Sequence, residues 1–403
     1  MVWNKNKKTE QTALTPQEKR QMRRRRQRRR AIIRAVVLLV VCAGLVLVWQ
    51  NWDSLSADRV AGALDEMVGS GTGSYPVDLS GLHIQRLERA QDHTVLLTES
   101  HLIYLNHNGA EMNRYPCTYA NALLRTAGRY ALLAEQGGKR LMLITRHRII
   151  TQLDVGKNIL SVSVNEKGQF AVLSDGPQGY AVQIRVYNKN GKLLYTRSRN
   201  LTGTEIALSR DGGQVAMLSV TATDGELTTL MEVFSLKSTD PEAQCSYSGK
   251  DTLLYRMEYL TGNWLVAVSD TGAVMLDTRD GLATVYAPDG VRLLGYAVGE
   301  GDVALALRPY GSTGGGEIHI VDKTGTPKKT VPFTGDFRHL SEIGHQYLLL
   351  TDTAAQRLTQ KGVVSAAAVE ADAQLAVLDG DQAVVLGLNR LNAYKLKTVK
   401  ESA

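Results

Sequence analysis

The stretch Ile159-Leu160-Ser161-Val162-Ser163-Val164-Asn165-Glu166-Lys167-Gly168-Gln169-Phe170-Ala171-Val172-Leu173 decides the fold. Two short runs rich in β-branched and other apolar residues flank a polar segment that ends in Gly. Gly accepts a positive φ at little steric cost, and Asn can bond the local backbone, so the segment reads as a tight hairpin turn between two strands. Moving outward, residues 181–187 and 193–196 form two further runs, joined by Asn188-Lys189-Asn190-Gly191. Four strands with tight connections make one unit spanning 159–197. The same punctuation recurs as Asn106-His107-Asn108-Gly109, Ser209-Arg210-Asp211-Gly212, Thr278-Arg279-Asp280-Gly281, Ala287-Pro288-Asp289-Gly290 and Asp322-Lys323-Thr324-Gly325.

No long amphipathic helical period interrupts this pattern after Tyr75. Grouping the runs gives units at 84–115, 121–153, 159–197, 204–247, 252–286, 291–333, 337–364 and 371–397. Successive units start about forty residues apart, the period of four-stranded propeller blades. The last unit supplies only three runs. Residues 75–79 are expected to add its fourth strand and close the ring, which would remove exposed sheet edges. The fold class is therefore all-β, a β-propeller over 75–398, with eight blades favoured and seven the other count. A pair of β-sandwiches is the rival architecture, and the regular spacing weighs against it.

The start of the chain is different in kind. Residues 1–34 hold 13 Lys/Arg and only Glu10 and Glu18, so of the 47 basic and 40 acidic residues in the chain, 34 and 38 lie beyond Arg34. The repeats are thus mildly acidic, and the basicity belongs to the tail. Arg23, Arg24, Arg25, Arg26, Arg28, Arg29 and Arg30 run directly into an apolar stretch at 31–50, in which only Arg34 is charged. Fixed positive charge beside about twenty apolar residues is the pattern of a single membrane span with a cytoplasmic N-terminus. The seven arginines are read as the topology anchor, and Trp49 and Trp52 as the aromatic residues at the opposite interface. Arg34 lies close enough to the cytoplasmic end to snorkel. A cleaved signal peptide is the rival reading. Ser54-Leu55-Ser56 is a poor cleavage site, so an uncleaved signal anchor is expected. An arginine tail can also bind nucleic acid, but its place beside a span favours contact with the lipid bilayer and anionic headgroups.

Residues 51–74 read as a short helix, capped by Ser56 with Val60, Ala61, Leu64, Met67 and Val68 on one stripe, followed by the linker Gly69-Ser70-Gly71-Thr72-Gly73-Ser74. The address that follows is the plasma membrane, single-pass, with residues 1–30 as a basic disordered cytoplasmic tail and the propeller extracytoplasmic.

No stretch carries a catalytic signature. Gly311-Ser312-Thr313-Gly314-Gly315-Gly316 lacks the Lys-Ser/Thr of a phosphate loop and runs into a strand, so a long hairpin loop is expected. His83, His93, His101 and His107 crowd into the first unit without a metal-site spacing. Asp65-Glu66 and the pair Asp379 and Asp381 read as solvated faces and turn formers. Cys117 and Cys245 fall on separate blades and are expected as two buried thiols without a bridge, and Cys42 lies in the span. Neither a metal nor a cofactor is expected.

The order of these parts resembles the DUF5711 family, uncharacterised single-pass membrane proteins of Gram-positive bacteria with a WD40/quinoprotein-like propeller. The resemblance is carried by the basic tail and span, the Gly71 to Pro76 entry, the 159–173 run, Val186-Tyr187-Asn188 with Gly191-Lys192, Ile206-Ala207-Leu208-Ser209-Arg210-Asp211-Gly212 and Gln214-Val215-Ala216. These are strand and turn motifs, so the resemblance implies architecture and membrane attachment and transfers no functional residue. The function expected is a non-catalytic platform for an envelope protein or cell-wall ligand. The rival is a propeller enzyme, a hydrolase, lyase or quinone-dependent enzyme acting on envelope carbohydrate or a small molecule. Signal transmission through the short tail is a third class.

Overall fold

The computed structural model describes residues 73–399 apart from 224, 239, 241 and 251. The seven-arginine anchor, the 31–50 span, Trp49, Trp52, the 56–68 helix and Asp65-Glu66 lie outside the described residues. Among those described there is no helix, and none that could cross a membrane.

Eight antiparallel sheets follow one another along the chain. Their innermost strands are Ile84–Ala90, Ala122–Ala127, Ile159–Val164, Thr202–Leu208, Leu254–Thr261, Val291–Val298, Phe337–Ile343 and Leu375–Asp379, which define blades 1 to 8. The eight-blade count and the all-β class hold. Ring closure is as expected: Val77–Asp78 pairs with Arg390–Lys395 (Val77 opposite Leu391, Asp78 opposite Arg390), so the outer strand of blade 8 comes from the N-terminal end of the propeller. One strand has no counterpart in the sequence pattern. Lys397–Thr398 leaves blade 8 and adds a fifth strand to blade 7, with Ser365 opposite Thr398.

The core explains the sequence pattern. Alternate residues of a strand face opposite sides of its sheet, and here both sides are buried against neighbouring blades. In blade 1, Val95, Leu97, Leu102 and Tyr104 pack with Leu124, Ala131 and Leu133 of blade 2. Their alternates Leu96, Ile103 and Leu105 pack with Val377, Val384 and Leu386 of blade 8. Eight such clusters fill the eight inter-blade spaces. Strands buried on two sides read as continuous apolar runs, and each fully buried Leu or Val contributes about 1.5–3 kcal/mol.

The turns also follow the sequence. Gly168 has φ 77°, and a Cβ there would lie 2.8 Å from the Tyr130 ring of the neighbouring blade, so both backbone and packing require Gly. The Gly311–Gly316 stretch forms the connection between strands Asp302–Pro309 and Gly316–Asp322, as expected of a long hairpin. Cys117 and Cys245 are free, the first buried and the second partly exposed.

Candidate functional site

Because each inner strand runs in the same sense through the ring, the propeller has two distinct faces. The entry face carries the connections into the inner strands and the loops between the second and third strands. The exit face carries the turns that leave the inner strands, including 165–168 and 209–212, together with the turns between third and fourth strands. Large exposed apolar side chains gather on the entry face: Tyr180, Leu227, Leu253, Tyr255, Tyr310 (63% exposed) and Leu388 (68%) come from blades 3, 4, 5, 6 and 8. The others, Leu193, Leu194, Leu282, Val285 and Val399, lie on or beside outer strands. The ten-residue strands Gln214–Thr223 and Glu226–Ser235 extend the blade 4 hairpin on the entry side.

Between the faces runs a polar channel. A cavity of about 560 Å³ is lined by Arg86, Arg125, Tyr255, Arg256, Tyr296 and Arg338 among others, and it shares Arg89, Thr126, Glu258, Val298 and Glu342 with a second of about 280 Å³ toward the exit face. Charged residues alternate with buried ones along the inner strands. Arg86-Leu87-Glu88 of blade 1 and Arg256-Met257-Glu258 of blade 5 share one spacing on opposite sides of an eight-membered ring. Arg256 is held by two carboxylates: Nη1 donates to Glu205 Oε1 at 2.7 Å and Nε to Glu258 Oε1 at 3.0 Å. Arg125 Nη2 lies 3.7 Å from the same Glu205 oxygen.

Burial works against the Arg256 cation, but Glu258 and Glu205 outweigh it and raise its pKa. Burial also raises Glu205 against the pull of Arg256 and Arg125. Both pKa values thus rise, which favours the charged form of Arg256 and disfavours that of Glu205. A guanidinium does not lose its proton in the accessible range, so the ionised pair is the state that the 2.7 Å contact describes. Glu88 is raised by burial, with Arg125 opposing and Glu258 adding to the shift. Glu342 opens onto the channel, yet the space is ringed by protein. Loss of bulk hydration, then repulsion from Glu258 and Glu88, pushes it up to about 8. At the exit mouth Arg210 reaches Glu300 at 3.4 Å and Glu166 at 3.9 Å, ion pairs from blade 4 to blades 6 and 3 that narrow this end.

The four histidines that crowd the first unit do not converge. His83 meets Glu99 at 3.5 Å, His93 Nε2 meets Arg146 Nη1 at 2.9 Å, His101 Nδ1 meets Ser100 Oγ at 2.8 Å and His107 Nδ1 meets Asp379 at 3.0 Å. Burial and the Arg146 charge push His93 down to about 4. No group of three or more His, Cys, Asp or Glu among the described residues has the geometry of a metal site. Asp381 is exposed beside Lys395 at 3.6 Å, in keeping with a solvated turn. Asp379 corrects the expectation. It is buried at the end of the blade 8 inner strand, 2.8 Å from Arg89 of blade 1, and ties the closing seam. The channel charges escape a reading of the sequence. The repeated Arg-x-Glu on two inner strands is the available signal, since all four of these charged residues line the lumen.

The class is thus an eight-bladed propeller with an ionised channel and an apolar-studded entry face. Residues 80–381 match the family described as "Family of unknown function (DUF5711)", and the chain belongs to it. No curated protein matches the chain. Among solved structures it is similar to Hsv2 of Kluyveromyces lactis (12% identity, TM-score 0.37, covering 51% of this chain and 72% of that one). It is also similar to apo AztD from Citrobacter koseri (12% identity, TM-score 0.49, covering 78% and 90%).

Proposed function

We propose that this protein is a membrane-tethered extracytoplasmic module that binds another component of the bacterial envelope without catalysing a reaction. The observation that carries the reading is the gathering of Tyr180, Leu227, Leu253, Tyr255, Tyr310 and Leu388 on one face. Exposed aromatic and aliphatic side chains on the loops of a rigid scaffold offer anchors for a partner. The tether is the 31–50 stretch, oriented by the arginines at positions 23–26 and 28–30. In-cell crosslinking and purification of the full-length chain, beside a version ending at Ser74, tests the reading. A discrete partner recovered only with the propeller supports it, and identical recoveries from both refute it.

One geometric observation favours the enzymatic reading: Glu342 lines both channel cavities together with Glu258. Glu342, pushed up to about 8, has the protonation behaviour asked of a general acid. Turnover of an envelope saccharide that disappears in Glu342→Gln would favour that reading over simple binding.

A further inference from the structure

The channel arginines are not equivalent. Arg256 is paired with two carboxylates, Arg125 leans on Glu205, and Arg89 is held by Asp379. Arg86 and Arg338 line the same cavity of about 560 Å³ with their side chains open to it. Neither side chain has an ion pair or hydrogen bond to another of the described residues. The contrast between the two Arg-x-Glu strands is informative. Arg256 folds back onto Glu258 at the i+2 position, whereas Arg86, with Glu88 at the same spacing, makes no such bond. Burial raises the Glu88 pKa, and the nearby Arg125 and Arg86 charges oppose that shift.

Around these guanidinium groups stand the components of a small-molecule site. His339 also lines the cavity, its Nδ1 3.0 Å from the Ala376 carbonyl oxygen and 3.4 Å from the Ala376 backbone nitrogen. Ser341 Oγ and Arg125 Nε, both at the cavity wall, are buried without a hydrogen-bond partner among the described residues. Buried polar atoms in that condition call for an explanation. On one flank Tyr255 and Tyr296 meet edge to face at 6.3 Å. Beside them Phe337 lies over Gly295, where a Cβ would come within 2.5 Å of its ring. The cavity volume falls in the range of about 300–1,000 Å³ typical of ligand pockets.

We propose that the entry half of the channel binds a small anionic saccharide, with its carboxylate or phosphate between Arg86 and Arg338 and a sugar ring beside Tyr255. Guanidinium groups recognise carboxylate and phosphate through paired, charge-assisted hydrogen bonds. The separate polar atoms of Ser341, Arg125 and His339 suit a molecule bearing several hydroxyls. The ion pairs of Arg210 narrow the exit end, so the ligand enters from the face that carries Tyr255. This site lies inside the channel and does not depend on the protein-binding reading of the loop face.

Calorimetric titration of the full-length chain in detergent micelles with glucuronate, glucose 6-phosphate, inorganic phosphate and glucose tests the proposal. Glucuronate or glucose 6-phosphate should bind with a Kd of about 1 mM or tighter, and glucose at least about tenfold more weakly. Which anionic sugar binds better distinguishes a carboxylate-bearing from a phosphate-bearing ligand. Arg86→Gln with Arg338→Gln should weaken the favoured anionic sugar by about tenfold or more. Arg292→Gln, an exposed arginine outside the cavity, should leave it unchanged. Ser341→Ala should weaken the sugar while its melting temperature stays at the wild-type value, which keeps the test valid if the double variant folds poorly. Four results would overturn the proposal: no binding of either anionic sugar, equal affinity for glucose, binding of inorganic phosphate alone, or full affinity in a folded double variant.

Discussion

Replacing Asp379 with Ala should open the seam where the ring closes. Asp379 and Arg89 are both buried, their side chains 6% and 11% exposed, and they meet at 2.8 Å between blades 8 and 1. His107 adds a contact to the second carboxylate oxygen at 3.0 Å. Removing the carboxylate strands a buried guanidinium, which typically destabilises by about 3–5 kcal/mol. At about 2.1 cal/mol/K per residue, a domain of this size loses about 1.5 °C per kcal/mol, so the melting temperature should fall by about 4–7 °C. Arg89→Met combined with Asp379→Leu removes both charges and fills the space. Such replacements are often neutral or stabilising, so the double variant should recover most of the loss. Thermal melts of wild type, Arg89→Met, Asp379→Leu and the double variant form a complete cycle. A fall of less than about 1 °C for Asp379→Ala, measured against that expectation, would refute the assignment of this pair to ring closure.

Three further expectations are independent of that one. Gly272→Ala should destabilise strongly, because a Cβ there would sit 1.9 Å from the Tyr286 carbonyl oxygen; unchanged melting would show that the outer strand of blade 5 shifts freely. Glu342 has a native pKa of about 8 against an ordinary 4.5, so the native state holds a proton that the unfolded chain releases. Its contribution is therefore full below about pH 4.5 and is lost as pH rises toward 8. The melting temperature of wild type should fall more between pH 5 and pH 9 than that of Glu342→Gln, and equal slopes would count against the shift. In intact protoplasts, external protease should digest the propeller while an N-terminal tag survives, and replacing the seven arginines by Glu should weaken or invert that orientation; a cleaved tag with a shielded propeller would overturn the topology.

What the sequence made legible was whatever depends on local pattern. Strands buried on both sides gave unbroken runs such as Leu102-Ile103-Tyr104-Leu105, and Gly turns divided them, so the eight units emerged with boundaries close to those observed. The closing strand was legible because the last unit lacked a fourth run. Lys397–Thr398 was not, because two polar residues carry no period and their pairing with blade 7 is set by ring geometry. Asp379 was misjudged for a related reason. Next to Gly380 and Asp381 it reads as a turn residue, and only closure brings Arg89 across to bury it. The channel site shares that difficulty, since Arg86, Arg256 and Arg338 lie far apart in the chain and converge only when the blades form a ring.

The measurement that tests the central claim most directly is site-specific photo-crosslinking from the propeller in living cells. A benzophenone side chain placed at Tyr310 or Leu388 of the entry face should capture a discrete envelope component. The same group at Asn190 or Thr324, exposed on turns of the exit face, should capture none. Equal capture from both faces, or capture only from Asn190 and Thr324, would contradict the assignment of recognition to the entry face.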